Sequence, residues 1–179
     1  MGARHTHRTP AILRGLATPA NPGGMRVLLA AGALGRLSSA RVGAAIARGL
    51  QRAGLTAPDV LELPGAPAAG ELRELLTRER FDERLHRARC LIIATGRLSE
   101  DTLAASAAFE LATRARQGGV PAYAIAGVCE IGAFDARVLD LQCVLRARTE
   151  PALVAAGATL ASLLVPGTAA SAGSPGTRR

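Results

Sequence analysis

The sequence contains no lysine and no tryptophan, and only 2% of its 179 residues are aromatic. Platforms that bind single-stranded nucleic acid need aromatic side chains among basic ones, so this composition argues against a nucleic-acid partner. All 22 basic residues are arginine, as expected from a GC-rich coding bias, and the formal net charge is +8. Much of that charge lies near the termini, because residues 25–167 contain 17 arginines against 14 acidic residues.

Long apolar runs are also missing, since none reaches the roughly 18 residues that a bilayer-spanning helix needs. A secretory signal is disfavoured, because Arg26 and the run VLLAAGAL lie late in the chain and equally suit a first core strand. The three cysteines show no paired C-x-x-C spacing, which favours buried, reduced thiols. We therefore expect a cytoplasmic protein with no membrane partner. No set of His, Cys and Asp has metal-ligand spacing, and no metal site is predicted.

Both ends of the chain differ from its middle in composition. Residues 1–24 are basic and contain Pro and Gly, and residues 166–179 are rich in Gly, Ser and Pro. Such segments cannot bury enough apolar surface to fold, so we predict a disordered extension and a disordered tail. The folded domain is predicted to cover residues 25–165.

Within that domain, short apolar runs alternate with segments of helical period. Continuous apolar runs are typical of strands buried on both faces, and their alternation with helices indicates a largely parallel sheet. The predicted fold is α/β and Rossmann-like, with about five strands flanked by helices. The predicted strands are Arg26–Ala31, Asp59–Leu63, Cys90–Ala94, Pro121–Ala126 and Cys143–Arg146, and the predicted helices are Ser39–Ala53, Glu71–Arg80, Asp101–Gln117 and Glu150–Leu164.

A Gly-Arg pair follows the predicted strand Cys90–Ala94, at the sheet edge where α/β proteins bind ligands. Gly96 allows a sharp turn, and the guanidinium of Arg97 fits a carboxylate or a phosphate. Ser99 is a candidate N-cap for the next helix. Against a ligand, Glu100 and Asp101 would repel an anion at that helix end, and either could pair with Arg97. The residues alone leave both a ligand-binding turn and a structural turn open.

Three stretches resemble the bacterial glycerate kinases in order along about residues 25–165. They are MRVLLAAGALGRLSSARVGAAIARGLQRAG, FDERLHRARCLIIATGRLSEDTL and GGVPAYAIAG. The resemblance implies a Rossmann-like domain, ATP-dependent phosphorylation of glycerate, and ATP and Mg²⁺ as cofactors. Gly96, Arg97 and Thr102 match the family's Gly-Glu-Gly-Arg-hydrophobic-Asp turn. With Ser99 they are the weak candidate substrate- or phosphate-binding residues.

The sequence differs from the family at the positions that the family's chemistry requires. Acidic residues of the family's turns are replaced by Gly32, Thr95 and Ser99, and a family lysine is replaced by Gly35. The inserted second domain, with its Gly-rich loop, has no counterpart between Glu71 and Phe81. The cofactors are thus implied by the resemblance alone.

Three readings follow from these losses. The leading one is a motif-degenerate glycerate kinase-family protein that has lost kinase activity, with no residue assigned as catalytic. The alternative is a non-enzymatic module that binds a small organic acid or nucleotide, or that pairs with a kinase subunit as a homo- or hetero-oligomer. The third is a decaying gene product with no retained role. Loss at chemical positions but not in the apolar faces disfavours that third reading.

Overall fold

The structure is a computed structural model that describes residues 25–65, 67–100 and 106–165. The predicted extension (1–24), the predicted tail (166–179) and Thr102 lie outside the described residues.

The described residues form a five-stranded parallel sheet in the order β2-β1-β3-β4-β5, with helices on both faces. The Rossmann-like α/β prediction is confirmed. In chain order the elements are β1 (Val27–Ala31), α1 (Ser39–Arg52), β2 (Asp59–Glu62), α2 (Ala69–Arg78), α3 (Phe81–Arg87), β3 (Cys90–Ser99), α4 (Ala107–Gln117), β4 (Ala122–Glu130), α5 (Ala133–Val138), β5 (Leu141–Arg146) and α6 (Glu150–Leu164).

The central strands are apolar because both of their faces are covered. All five residues of β1 are buried, as are the first five of β3. Alternate β1 residues contribute to opposite cores: Leu28 packs with α2, α3 and α4, and Leu29 packs with α1 and α6. No residue of the run VLLAA faces solvent, so the strand does not show the alternation of apolar and polar residues that a half-exposed strand has.

Two predicted boundaries change in the structure. The helix predicted over Glu71–Arg80 is α2, which spans Ala69–Arg78, and an unpredicted second helix, α3, follows Arg80, whose φ is 52°. The helix predicted from Asp101 is described from Ala107 onwards. Helix α3 has only seven residues, too few for a helical period to indicate it from sequence.

Helices α1 and α6 pack closely through a pair of glycines. A Cβ atom on Gly157 would lie 2.5 Å from the carbonyl oxygen of Ile46, and one on Gly49 would collide with the carbonyl oxygen of Val154. Beside this contact, Glu150 accepts hydrogen bonds from Arg41 at 2.8 Å and from Arg48 at 2.5 Å. These bonds lower the pKa of the Glu150 carboxyl below its ordinary value.

The three cysteines are free thiols in different environments. Cys90 is buried at the start of β3, and burial raises its pKa to about 12. Cys129 and Cys143 are half-buried, so the expectation of buried thiols holds fully for Cys90 alone. Among the described residues, no helix combines the length and apolar character needed to cross a membrane.

Candidate functional site

A cleft lies between the carboxyl ends of β1 and β3. At this point the order in which the chain adds strands to the sheet reverses, from β1 outwards to β2 and then back to β3 on the other side. In parallel α/β sheets, the connections from these two strands diverge to opposite sides and leave a crevice. Here the crevice has a volume of about 470 Å³. We call it the switch-point cleft; it is lined by Gly32 and Ala33 after β1, by Leu63, Gly65 and Pro67 after β2, by residues 93–97 of β3 and by residues 106–108 at the start of α4.

One wall of this cleft is the loop from β1 to α1. The amide of Gly32 donates to the carbonyl of Ala94 at 2.8 Å, which continues the β1–β3 ladder past the end of β1. The loop then turns tightly, with paired hydrogen bonds between Leu34 and Leu37 at 2.9 Å. Gly35 has a φ of 58° in this turn, a conformation that glycine adopts without strain. The turn returns the chain to Ser38, which caps α1.

Gly96 does not form a turn, which corrects the strand end predicted at Ala94. Strand β3 runs to Ser99 and β4 to Glu130, and the ladder continues with Arg97 opposite Val128 and Leu98 opposite Cys129. The two strands thus extend beyond β1, whose last partner in β3 is Ala94. This β3–β4 extension forms the floor beneath the β1–α1 loop.

The glycines of the extension make room for that loop. A Cβ atom on Gly96 would lie 3.2 Å from the carbonyl oxygen of Ala33. A Cβ atom on Gly127 would lie 2.8 Å from the carbonyl oxygen of Gly96 and 3.2 Å from the side chain of Leu34. Gly96 therefore has a packing role, whatever the cleft binds.

Arg97 is held by an acidic residue that sequence reasoning did not consider. Its guanidinium donates to both carboxylate oxygens of Glu130, at 2.7 to 3.0 Å. The two side chains are 61% and 48% exposed, and exposed ion pairs contribute little stability, about 0–1 kcal/mol. Among the described residues Arg97 thus pairs with Glu130 across β3 and β4 and not with Glu100; Asp101, the other predicted partner, lies outside the described residues.

Ser99 does not cap α4. It lies in β3 with 7% of its surface exposed, and it does not line the cleft. The N-cap of α4 is Ser106, whose hydroxyl oxygen accepts from the amide of Phe109 at 3.2 Å. Of the four predicted site residues, the structure brings Gly96 and Arg97 to the cleft, and Thr102 is outside the described residues. A serine directly before the helical run AAFELATRARQ was the signal that would have identified Ser106.

The described lining of the switch-point cleft is mainly apolar or backbone. Among these residues Arg97 carries the only charge, and Thr95 and Ser106 contribute hydroxyl groups. The Thr95 hydroxyl donates to the carbonyl of Arg97 at 3.3 Å. Ala107 and Ala108 belong to the first turn of α4, where amide groups have no acceptor within the helix. The cleft thus offers donors for a small anion beside apolar surface.

A magnesium ion does not fit these residues. Mg²⁺ is held in proteins through carboxylates and substrate phosphates, and the described lining contributes no carboxylate. More widely, no group of three His, Cys, Asp or Glu side chains in the described part of the chain is arranged to hold a metal ion.

Comparisons with known proteins give little support from sequence. No protein-family model matches the chain, and no curated protein matches it. Among solved structures, it is similar to a protein from Salmonella typhimurium LT2 provisionally named glycerate kinase 2, with a TM-score of 0.40 and 13% identity. The match covers 60% of this chain and 27% of that one. A likeness this loose carries no conclusion about activity.

Proposed function

We propose that this chain is a glycerate kinase-related Rossmann-like domain that binds a small organic acid or nucleotide and does not transfer phosphate. The observation that carries the proposal is the switch-point cleft, whose described lining combines donors for an anion with apolar surface and lacks any acidic group. We place the protein in the cytoplasm, where free thiols such as its three cysteines persist.

The binding half of the proposal rests on the size and donors of the cleft. Its volume of about 470 Å³ is in the range of small-molecule sites. A carboxylate or phosphate placed at the start of α4 would meet the first-turn amides, and the helix dipole favours a negative charge there. Ala33, Pro67 and Ala107, which are exposed or half-buried, supply apolar contact for the rest of the ligand.

Arg97 would provide the charged contact. Its bridge to Glu130 is exposed, so exchanging that carboxylate for a ligand's costs little. A hydrogen bond to a charged group is worth about 1.5–3 kcal/mol. Since Glu130 competes for the same guanidinium, we expect weak binding, with a dissociation constant on the order of 1 mM.

The proposed lack of phosphoryl transfer rests on the few charged side chains in the switch-point cleft. Transfer of a phosphoryl group needs metal ions and cations around the transferring group and a base near the acceptor hydroxyl. The sequence has no lysine, and Gly32 and Thr95 stand in the cleft where the resemblance implies acidic residues. Arg97 alone cannot supply both the positive charge and the base.

Ligand binding is expected to raise the melting temperature. At ten times the dissociation constant, a ligand that binds only the native state stabilises it by about 1.4 kcal/mol, or ~3–5 °C for a domain of this size. We expect this shift with 10 mM ATP or glycerate by differential scanning fluorimetry. Arg97→Gln should reduce it by more than half, and Glu130→Gln should increase it because the guanidinium is released.

Arg73→Gln is the matched control, since Arg73 is exposed on α2 and does not line the cleft. It should leave the ligand-dependent shift unchanged. A full shift in the Arg97→Gln protein would move the site elsewhere, and no shift with either ligand in the wild-type protein would refute the binding proposal.

No phosphorylation of glycerate is expected with ATP and Mg²⁺. ADP formation, followed by a coupled assay in protein freed of host kinases, should not exceed that of a heat-denatured sample. Glycerate-dependent turnover that disappears in the Arg97→Gln protein would contradict this half of the proposal while leaving the binding half intact.

A further inference from the structure

A second cleft lies at the opposite end of the sheet, where β1 and β2 begin. It has a volume of about 340 Å³ and is lined by residues 26–28, 56–59, 84, 87 and 88. We call it the amino-end cleft. Three arginines, Arg26, Arg84 and Arg87, share it with one acidic residue, Asp59.

Arg84 and Asp59 neutralise each other. The Arg84 guanidinium donates to both carboxylate oxygens of Asp59, at 2.9 and 2.7 Å, and to the carbonyl of Val60 at 2.9 Å. The Arg84 side chain is only 19% exposed. This pair therefore forms a fixed wall, and Glu79, which lies outside the lining and approaches Arg84 at 3.9 Å, adds a negative charge beside it.

The residues that line the cleft have a net charge of +2, since three arginines share it with one aspartate, and Arg87 is ion-paired with Glu83 outside the lining. Arg26 makes no ion pair with any described residue, and Arg87 approaches Glu83 at 3.8 Å, the outer limit of an ion pair. Arg87 lies in the last turn of α3, where a cation complements the helix dipole. Arg26 directly precedes β1 and is not part of a helix. A helix dipole therefore does not explain why Arg26 lies in this cleft.

The remaining lining is apolar. Ala57, Pro58 and Ala88 contribute accessible surface beside the guanidinium groups, whereas Val27 and Leu28 are buried beneath it. A ligand that suits this cleft has two negative charges on one compact group and a small apolar part. Guanidinium groups match phosphate oxygens in geometry as well as in charge.

We propose that the amino-end cleft binds a small phosphate monoester, with Arg26 and Arg87 holding the dianionic phosphate and Arg84 fixing the wall. This site is separate from the proposed function, because it lies at the other end of the sheet from the switch-point cleft. It requires no change in the fold, since the backbone that forms it is part of β1, β2 and α3.

Isothermal titration calorimetry with inorganic phosphate and with phenyl phosphate tests this site on the full chain at constant ionic strength. Constant ionic strength separates specific binding from general screening. Phenyl phosphate should bind more tightly than inorganic phosphate because of the apolar lining. The Arg26→Gln/Arg87→Gln double variant should weaken phenyl phosphate binding at least tenfold.

Two controls locate the binding. Arg73→Gln removes one exposed arginine outside the cleft and should bind as the wild-type protein does. Arg97→Gln, at the switch-point cleft, should also retain phenyl phosphate binding, which separates this site from the proposed function. The inference is wrong if the wild-type protein binds neither phosphate, if the double variant binds normally, or if Arg73→Gln loses as much affinity as the double variant.

Discussion

Replacing Gly157 by alanine is expected to lower the free energy of unfolding by about 3 kcal/mol, or roughly 6–12 °C in melting temperature. The new Cβ would lie 2.5 Å from the carbonyl oxygen of Ile46 and 3.2 Å from the amide nitrogen of Leu50. Both are backbone atoms of α1, so no side chain can rotate away, and the two helices must separate. Alanine is the better helix former by about 1 kcal/mol, but the clash outweighs that gain.

Gly70→Ala is the matched control for this substitution. Gly70 lies in α2 with no heavy atom within 4 Å of an added Cβ. Its replacement should stabilise the protein slightly, by about 0.4–1 kcal/mol, through the entropy of the unfolded chain. Urea denaturation of both variants gives the comparison. Equal stability of Gly157→Ala and the wild-type protein would mean that α1 and α6 are farther apart than described.

Phe81→Ala is expected to cost about 3–5 kcal/mol. Phe81 is 0% exposed, the largest of the fully buried side chains, and it begins α3 within the core formed with α2 and α4. Truncation leaves a cavity that the helices cannot close, because the left-handed backbone at Arg80 fixes where α3 begins. The loss would be measured from urea denaturation curves.

Phe134 provides a control of the same residue type. It is 77% exposed on α5, and Phe134→Ala should change the stability by less than about 0.5 kcal/mol. If Phe81→Ala costs no more than Phe134→Ala, the core beneath α3 is not packed as the structure indicates.

Patterns that reflect burial could be predicted from sequence. The run VLLAA of β1 is apolar because helices cover both faces. Of the apolar stripe predicted on α1, Val42, Ala45, Ile46 and Leu50 are buried, while Ala53 is exposed beyond the end of the helix. These features depend on a residue's own surroundings in one element, which a period of 2 or 3.6 residues reports directly.

Features set by distant neighbours could not be predicted. The sequence TGR is compatible with a turn or with a strand, and the choice depends on Ala33 and Leu34 packing over Gly96 and Gly127. The partner of Arg97 is likewise decided by the extension of β4 to Glu130, 33 residues away along the chain. A glycine in the sequence indicates that another group can come close to the backbone, but it does not indicate which group does so.

The pairing of α1 with α6 also sets an order for folding. The Arg41–Glu150 ion pair joins residues 109 positions apart, so the contact between the first and last helices described closes a long loop. Contacts of such long range are slow to form because loop closure costs entropy before the contact returns any stability. During synthesis on the ribosome, the surface of α1 that contacts α6 has no such partner until residues 150–164 have left the exit tunnel. One of the two cores therefore lacks the side chains of α6 until that point.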